Sequence, residues 1–344
     1  MSIRAIALLL CLPAALVGQS GAVVGVLVAG TGEPLPYGVV AIDGTKRSMF
    51  ANDSGHFAFY DIQPGRHVLH AKRLGFGPAD LIVDVRAGVV DTVRIALTRV
   101  TVRLDGVTLT EHPACTAPGI PSAMDTSLKA IVAQLQLNAE QLRFMSEEYP
   151  FEYYLQVLKA RTLNNGDLFS EDPRTKRYTS KTGSTYRPGE VLKHVDGAWV
   201  FQIPELQDVA SPQFLASHCW HYAGTDTILG RQHYRLDVVA AEKLSGVDID
   251  GSFYIDTATF QIRRSVVRLS RRPLEVRAVM AMEMTTYYEE ILPSVPIIAN
   301  VSIVQTMDPS AHAQYRESRE VQHAHSYRFL DRTPGDSLPP RRKP

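Results

Sequence analysis

Between residues 52 and 76 the chain reads NDSGHFAFYDIQPGRHVLHAKRLGF, and this stretch restricts the fold more than any other. Asn52, Asp53, Ser54 and Gly55 spell a turn, because Asn and Asp tolerate the left-handed region and Gly enters it freely. Phe57 and Phe59 then alternate with small residues, as in a strand with one buried face. Pro64 and Gly65 supply a second turn, and Leu69 and Ala71 continue the alternation until Gly75 breaks it. Such a pattern predicts β-hairpins and excludes a helix.

The grammar extends on both sides. Val24, Val26 and Val28 alternate with small residues, Val39 to Ile42 is a buried run, and Leu81, Val83 and Val85 share a face, as do Val93, Ile95 and Leu97. Seven short strands with turns at this spacing predict a β-sandwich over residues 21–110. The segments GEPLPYGVVAIDGT, the stretch from Asn52 to Phe76, and VRIALT resemble the carboxypeptidase regulatory-like domain, a transthyretin-like β-sandwich. The resemblance covers about a quarter of the chain and implies an accessory, non-catalytic module of bacterial envelope proteins. Such modules include the N-termini of TonB-dependent outer-membrane receptors, and related folds bind carbohydrate.

The N-terminus predicts export. Arg4 precedes a short apolar run from Ala5 to Val17, and small residues follow, so residues 1–20 read as a signal peptide cleaved near Gln19 to Gly21. No later window has the roughly 18 apolar residues of a spanning helix. Lys plus Arg equals Asp plus Glu at 36 each, which argues against nucleic acid as a partner. Removal of the leader takes Cys11 with it and leaves Cys115 and Cys219. In an oxidising compartment this pair reads as one disulfide, closing a loop worth about 4–5 kcal/mol by chain entropy; the alternative is two separate buried thiols.

Residues 111–124, with three prolines, read as a linker. Leu128, Ile131, Val132, Leu135, Leu142 and Met145 then fall at helical spacing behind Asp125 as N-cap. A short second segment, Tyr153 to Leu163, is a further candidate to cover a sheet. From about residue 178 the pattern is β again, with an Asp196-Gly197 hairpin and long alternating strands through residue 331. Residues 314–329 are mostly polar and predict an edge strand; residues 332–344 predict a disordered tail. The expected fold is therefore mainly β, a sandwich followed by an antiparallel meander under one or two helices (residues 125–331). The string DGSFYIDTATFQIRRSVVRL resembles a hairpin of envelope proteins that join such a sandwich to a β-rich C-terminal region. The strand pattern is also similar to the half-barrel of periplasmic lipoprotein carriers.

Catalytic motifs are missing. The sequence holds no H-E-x-x-H, G-x-S-x-G, S-x-x-K, P-loop or G-x-G-x-x-G, so no catalytic residue, metal site or cofactor is predicted. His323 and His325 share a strand face and could hold a metal with a third ligand, against the simpler reading of a polar strand facing water. His218, Cys219 and His221 could ligate zinc, but export favours oxidation of Cys219. Phe253 with Met280, Met282 and Met284 form an apolar, adaptable stripe that serves either as core or as a ligand groove. The first functional reading is a non-enzymatic exported envelope protein, periplasmic or outer-membrane associated, whose sandwich docks and whose C-terminal domain binds another envelope protein. The alternative is a carrier for a lipid or glycan, and the third is a metal-dependent hydrolase. An apolar cavity on the sheet favours the carrier; a filled helix–sheet interface favours the scaffold.

Overall fold

The computed structural model describes residues 19–102, 114–120, 126–180, 186–311 and 313–335. The leader through residue 18, the Asp125 cap and the tail from residue 336 lie outside them. Seven strands build the N-terminal sandwich: β1 (Gly21–Ala29), β2 (Val39–Ile42), β3 (Ser48–Phe50), β4 (His56–Ile62), β5 (Gly65–Lys72), β6 (Ala79–Val85) and β7 (Val90–Leu97). One sheet has the order β4-β1-β7, with β1 and β7 parallel; the other has the order β3-β2-β5-β6. Phe57, Phe59, Leu69, Val83, Ile95 and Leu97 meet in its core. In β1 the inward residues are Val23 and Leu27, while Val24 and Val26 are only partly buried. Gly25 explains this parity. A Cβ there would strike the Phe57 ring, so the small residue lies under the large one. Gly55 closes its turn at φ 77°, where a side chain would also strike the Leu27 carbonyl.

The C-terminal part begins with α1 (Thr126–Glu148) and continues through β8 (Phe151–Leu163), β9 (Leu168–Ser170), β10 (Arg174–Thr179), β11 (Leu192–Val195) and β12 (Ala198–Phe201). Two short helices follow, α2 (Leu206–Val209) and α3 (Pro212–Ser217). The remaining strands are β13 (His218–Ile228), β14 (Arg231–Ala240), β15 (Ile249–Asp256), β16 (Ile262–Leu269), β17 (Val279–Leu292), β18 (Val295–Met307) and β19 (Tyr315–Phe329). They form one sheet in the order β10-β8-β19-β18-β17-β16-β15-β14-β13, with β9 also on β8. All its pairs are antiparallel. The protein is thus mainly β, as its alternation predicts.

Two expectations are corrected here. The segment from Tyr153 to Leu163 is not a covering helix but most of strand β8. Phe151, Tyr153 and Leu155 repeat every second residue, and aromatic and β-branched side chains suit a pleated surface. Strand β8 pairs with β19 along Leu163 to Phe151, so β19 is an interior strand and not an edge. Its polar residues are matched across the ladder; Lys159 faces Glu320 in register and pairs with it at 2.8 Å.

Helix α1 spans roughly 35 Å and lies between sandwich and sheet. Leu128, Ile131, Leu135, Leu142 and Met145 are buried, matching the helical spacing in the sequence. Two amides one turn apart fasten it on both sides. The Gln134 side chain accepts from Gly75 N–H at 2.8 Å and donates to the Phe76 carbonyl at 3.3 Å. The Asn138 side chain donates to the Phe260 carbonyl at 2.8 Å and accepts from Ile262 N–H at 2.9 Å. Lys72 adds an ion pair with Glu140 at 3.2 Å.

Candidate functional site

A cavity of about 420 Å³ lies between α1, the α2 region and the sheet. Its floor is built by alternate residues of neighbouring strands, which the pleat turns to one face. Phe253 comes from β15, Val267 from β16, Met284 from β17, and Ala299, Val301 and Ile303 from β18. Phe151, Tyr153 and Leu155 of β8 extend the floor, and Leu142 of α1 forms a side wall. The segment from Phe201 to Val209 makes the roof with Ile203, Leu206 and Phe214 of α3. Its volume lies within the range of small-molecule sites, and apolar groups dominate its walls.

The roof is held by local capping and by a buried polar cluster. Glu205 N–H donates to Asp208 Oδ2 at 2.7 Å, and Ser211, ahead of Pro212 at the first turn of α3, accepts from Phe214 N–H at 3.1 Å. The Phe214 ring stacks on His218 with centroids 4.0 Å apart. His218 is fully buried, its Nε2 3.5 Å from Asp248 Oδ1 and its Nδ1 3.1 Å from Ser217 Oγ. Asp248, also fully buried, accepts from the Tyr186 hydroxyl at 2.9 Å, Gly189 N–H at 2.7 Å and Ile249 N–H at 2.8 Å. Burial, with the Asp248 charge second, pushes the Tyr186 hydroxyl far above the ordinary tyrosine range. Ser217, His218 and Asp248 list the residue types of a hydrolytic triad, but Ser217 Oγ already donates to the Phe214 carbonyl at 3.1 Å. The cluster works as a clamp joining α3, β13 and β15.

Beside the clamp, Cys115 and Cys219 form a disulfide, and Gly119 N–H donates to the His218 carbonyl at 2.8 Å. The pairing expected from the sequence is present. It removes Cys219 from any zinc set with His218 and His221, and alternation along β13 buries His218 while leaving His221 half-buried.

The methionine stripe divides. Phe253 and Met284 line the cavity. Met282 is buried outside it, its sulfur 3.6 Å from Gln305 Nε2. Met280 is 44% exposed, so the proposed single face of three methionines is corrected. A register shift between Val279 and Ala281 breaks the alternation at that point. His323 and His325 stack on each other 5.6 Å apart, and His323 Nδ1 lies 2.8 Å from Asn300 Oδ1. Among the described residues no three of His, Cys, Asp and Glu gather as a metal site.

The sequence reading missed the tyrosines and the roof. Tyr153, Tyr288 and Tyr327 all line the cavity. Burial, then Glu205 and Tyr178, raises the Tyr153 hydroxyl, and burial above all pushes Tyr288 up to about 12. Burial likewise raises Tyr327, whose hydroxyl donates to the Ile298 carbonyl at 2.6 Å. At neutral pH these three hydroxyls therefore stay protonated. The period-two spacing of Phe151, Tyr153 and Leu155 was the signal available for this part of the lining.

Residues 22–98 match the carboxypeptidase regulatory-like domain, in agreement with the resemblance drawn from its turns. Comparison with curated proteins gave no match. Among solved structures, a DUF1329 family protein from Desulfovibrio piger is 11% identical, with 59% of this chain and 92% of that one covered and a TM-score of 0.32. A LolA superfamily protein from Nitrosomonas europaea is 11% identical over 59% and 94% of the two chains, at 0.29. The MucA/MucB complex from Pseudomonas aeruginosa matches at 10% identity over 58% and 98%, at 0.20. Scores this low carry nothing about ligand or activity.

Proposed function

We propose that this chain is an exported envelope protein whose C-terminal domain binds and carries a hydrophobic ligand, of the size of one acyl chain, without chemically altering it. The observation that carries the reading is the cavity of about 420 Å³, walled by Leu142, Phe253, Met284 and Val301 beneath the roof at Phe201–Val209. Burying an apolar chain there yields on the order of 0.8 kcal/mol per methylene, enough for useful affinity without a charged anchor. An open space favours the carrier over a scaffold whose helix fills the interface. The sandwich, in this reading, is the docking or stalk module. Two supports for export are the leader-like N-terminus and the Cys115–Cys219 bridge, which belongs to oxidising compartments. No described helix is long and apolar enough to cross a membrane.

Native mass spectrometry of protein purified from its own envelope tests the proposal. A stoichiometric adduct that dissociates as a lipid-like molecule is expected. Protein that emerges ligand-free, and that takes up no fluorescent apolar probe, would refute the carrier reading.

A further inference from the structure

Three hydroxyls interrupt the apolar floor of the cavity at its centre. Ser265 on β16 and Thr286 on β17 face each other in register, and Tyr288 follows two residues along β17 on the same face. All three are nine-tenths or more buried, at 3%, 3% and 6% exposure. Ser265 Oγ and the Tyr288 hydroxyl are 3.2 Å apart and share a hydrogen bond, and the Thr286 hydroxyl lies beside them on the same cavity wall. Hydrophobic side chains of similar volume would fit these positions at lower desolvation cost.

Counting donors gives the hydroxyls a purpose. Three hydroxyls bring three O–H groups, and the Ser265–Tyr288 contact uses one of them. Among the described residues, no other side-chain hydrogen bond engages Ser265, Thr286 or Tyr288, so two donors are left for whatever occupies the cavity. A buried donor left without an acceptor is costly, and a hydrocarbon supplies none. A carbonyl oxygen does.

Resting on the carrier reading, we infer that Ser265, Thr286 and Tyr288 select a ligand with an uncharged carbonyl on its chain, an acyl ester or amide, over a hydrocarbon of equal length. The hydroxyl cluster is then a specificity device set inside the apolar floor. The surrounding Phe253, Val267, Met284 and Ala299 take the chain, and the cluster fixes how deep it sits.

The test uses the full chain loaded with the fluorescent probe N-phenyl-1-naphthylamine. Methyl palmitate should displace the probe at about ten-fold lower concentration than hexadecane, the discrimination expected of one buried hydrogen bond. In the combined variant Ser265→Ala, Thr286→Val and Tyr288→Phe, methyl palmitate and hexadecane should displace the probe at equal concentration. Equal displacement of the probe from the wild type by ester and alkane overturns the inference while leaving the carrier reading intact. That wild-type comparison decides the matter even if the combined variant does not fold. Failure of the probe to bind at all defeats the carrier reading itself, and this inference with it.

Discussion

The Phe50 ring, at the end of β3 in the sandwich, packs 5.5 Å from the Tyr149 ring just beyond α1, and Phe50 N–H donates to the Tyr149 hydroxyl at 3.4 Å. Phe144 closes on the Phe50 ring at 5.0 Å. Phe50 is fully buried and belongs to the core of the C-terminal domain, although it lies on a sandwich strand. Phe50→Ala should therefore destabilise the full chain by about 3–5 kcal/mol. The sandwich keeps its own core, so residues 21–102 alone should still unfold cooperatively. Urea titrations of the variant and of the fragment check both statements; a loss below about 1 kcal/mol would mean that Phe50 joins no shared core.

Asp248 carries the clamp under the roof. Its oxygens accept from Tyr186, Gly189 and Ile249 and face His218, with no solvent exposure at either member of the His–Asp pair. Asp248→Ala leaves those groups buried without their partner and should cost about 3–5 kcal/mol. Chemical denaturation gives the number. A variant of unchanged stability would show that the cluster does not hold α3.

Ala299 has only a methyl group on the cavity floor. Ala299→Phe should fill part of the space and weaken probe binding at least ten-fold, because the added ring competes with the ligand for the same volume. Its melting temperature should stay near that of the wild type. Undiminished binding would place the ligand elsewhere.

Asp256 supplies a pH signature. Burial alone would raise its carboxyl, but Thr259 and Ala258 N–H groups donate to it at 2.9 Å each, the Thr259 hydroxyl at 3.1 Å, and Arg263 lies nearby. The net effect lowers it below the ordinary aspartate value. A carboxyl held lower in the fold than in the unfolded chain contributes stability that is present above about pH 4 and is lost as pH falls through the folded value. Asp256→Asn should thus be less stable than the wild type at pH 7, with the gap narrowing on acidification. Paired melting curves from pH 7 to pH 3 measure it, and a constant gap would contradict the assignment.

How much of this was readable depends on the range of the forces involved. Turns and strand faces are local, so Asn52 to Gly55 and the alternation at Phe57 and Phe59 gave the sandwich directly. Strand β8 was not readable as such, because its pairing with β19 joins residues more than 150 positions apart and overrides a locally ambiguous pattern. The cavity depends on the same long-range pairing. Phe253 and Met284 were found because they alternate in long strands; Met280 was misassigned because a register shift leaves no mark in the sequence. Tyr288 and Ser265 meet only after β16 and β17 pair.

The amides of Gln134 and Asn138 grip main-chain atoms alone, at Gly75, Phe76, Phe260 and Ile262. The grip therefore depends on the course of the two loops, with Gly75 at φ 80° and Phe260 at φ 59°, and not on hydrogen bonds to their side chains. This part of the joint leaves its record in two polar letters four apart on a helix, beside the aromatic contact of Phe50 with Tyr149 and Phe144.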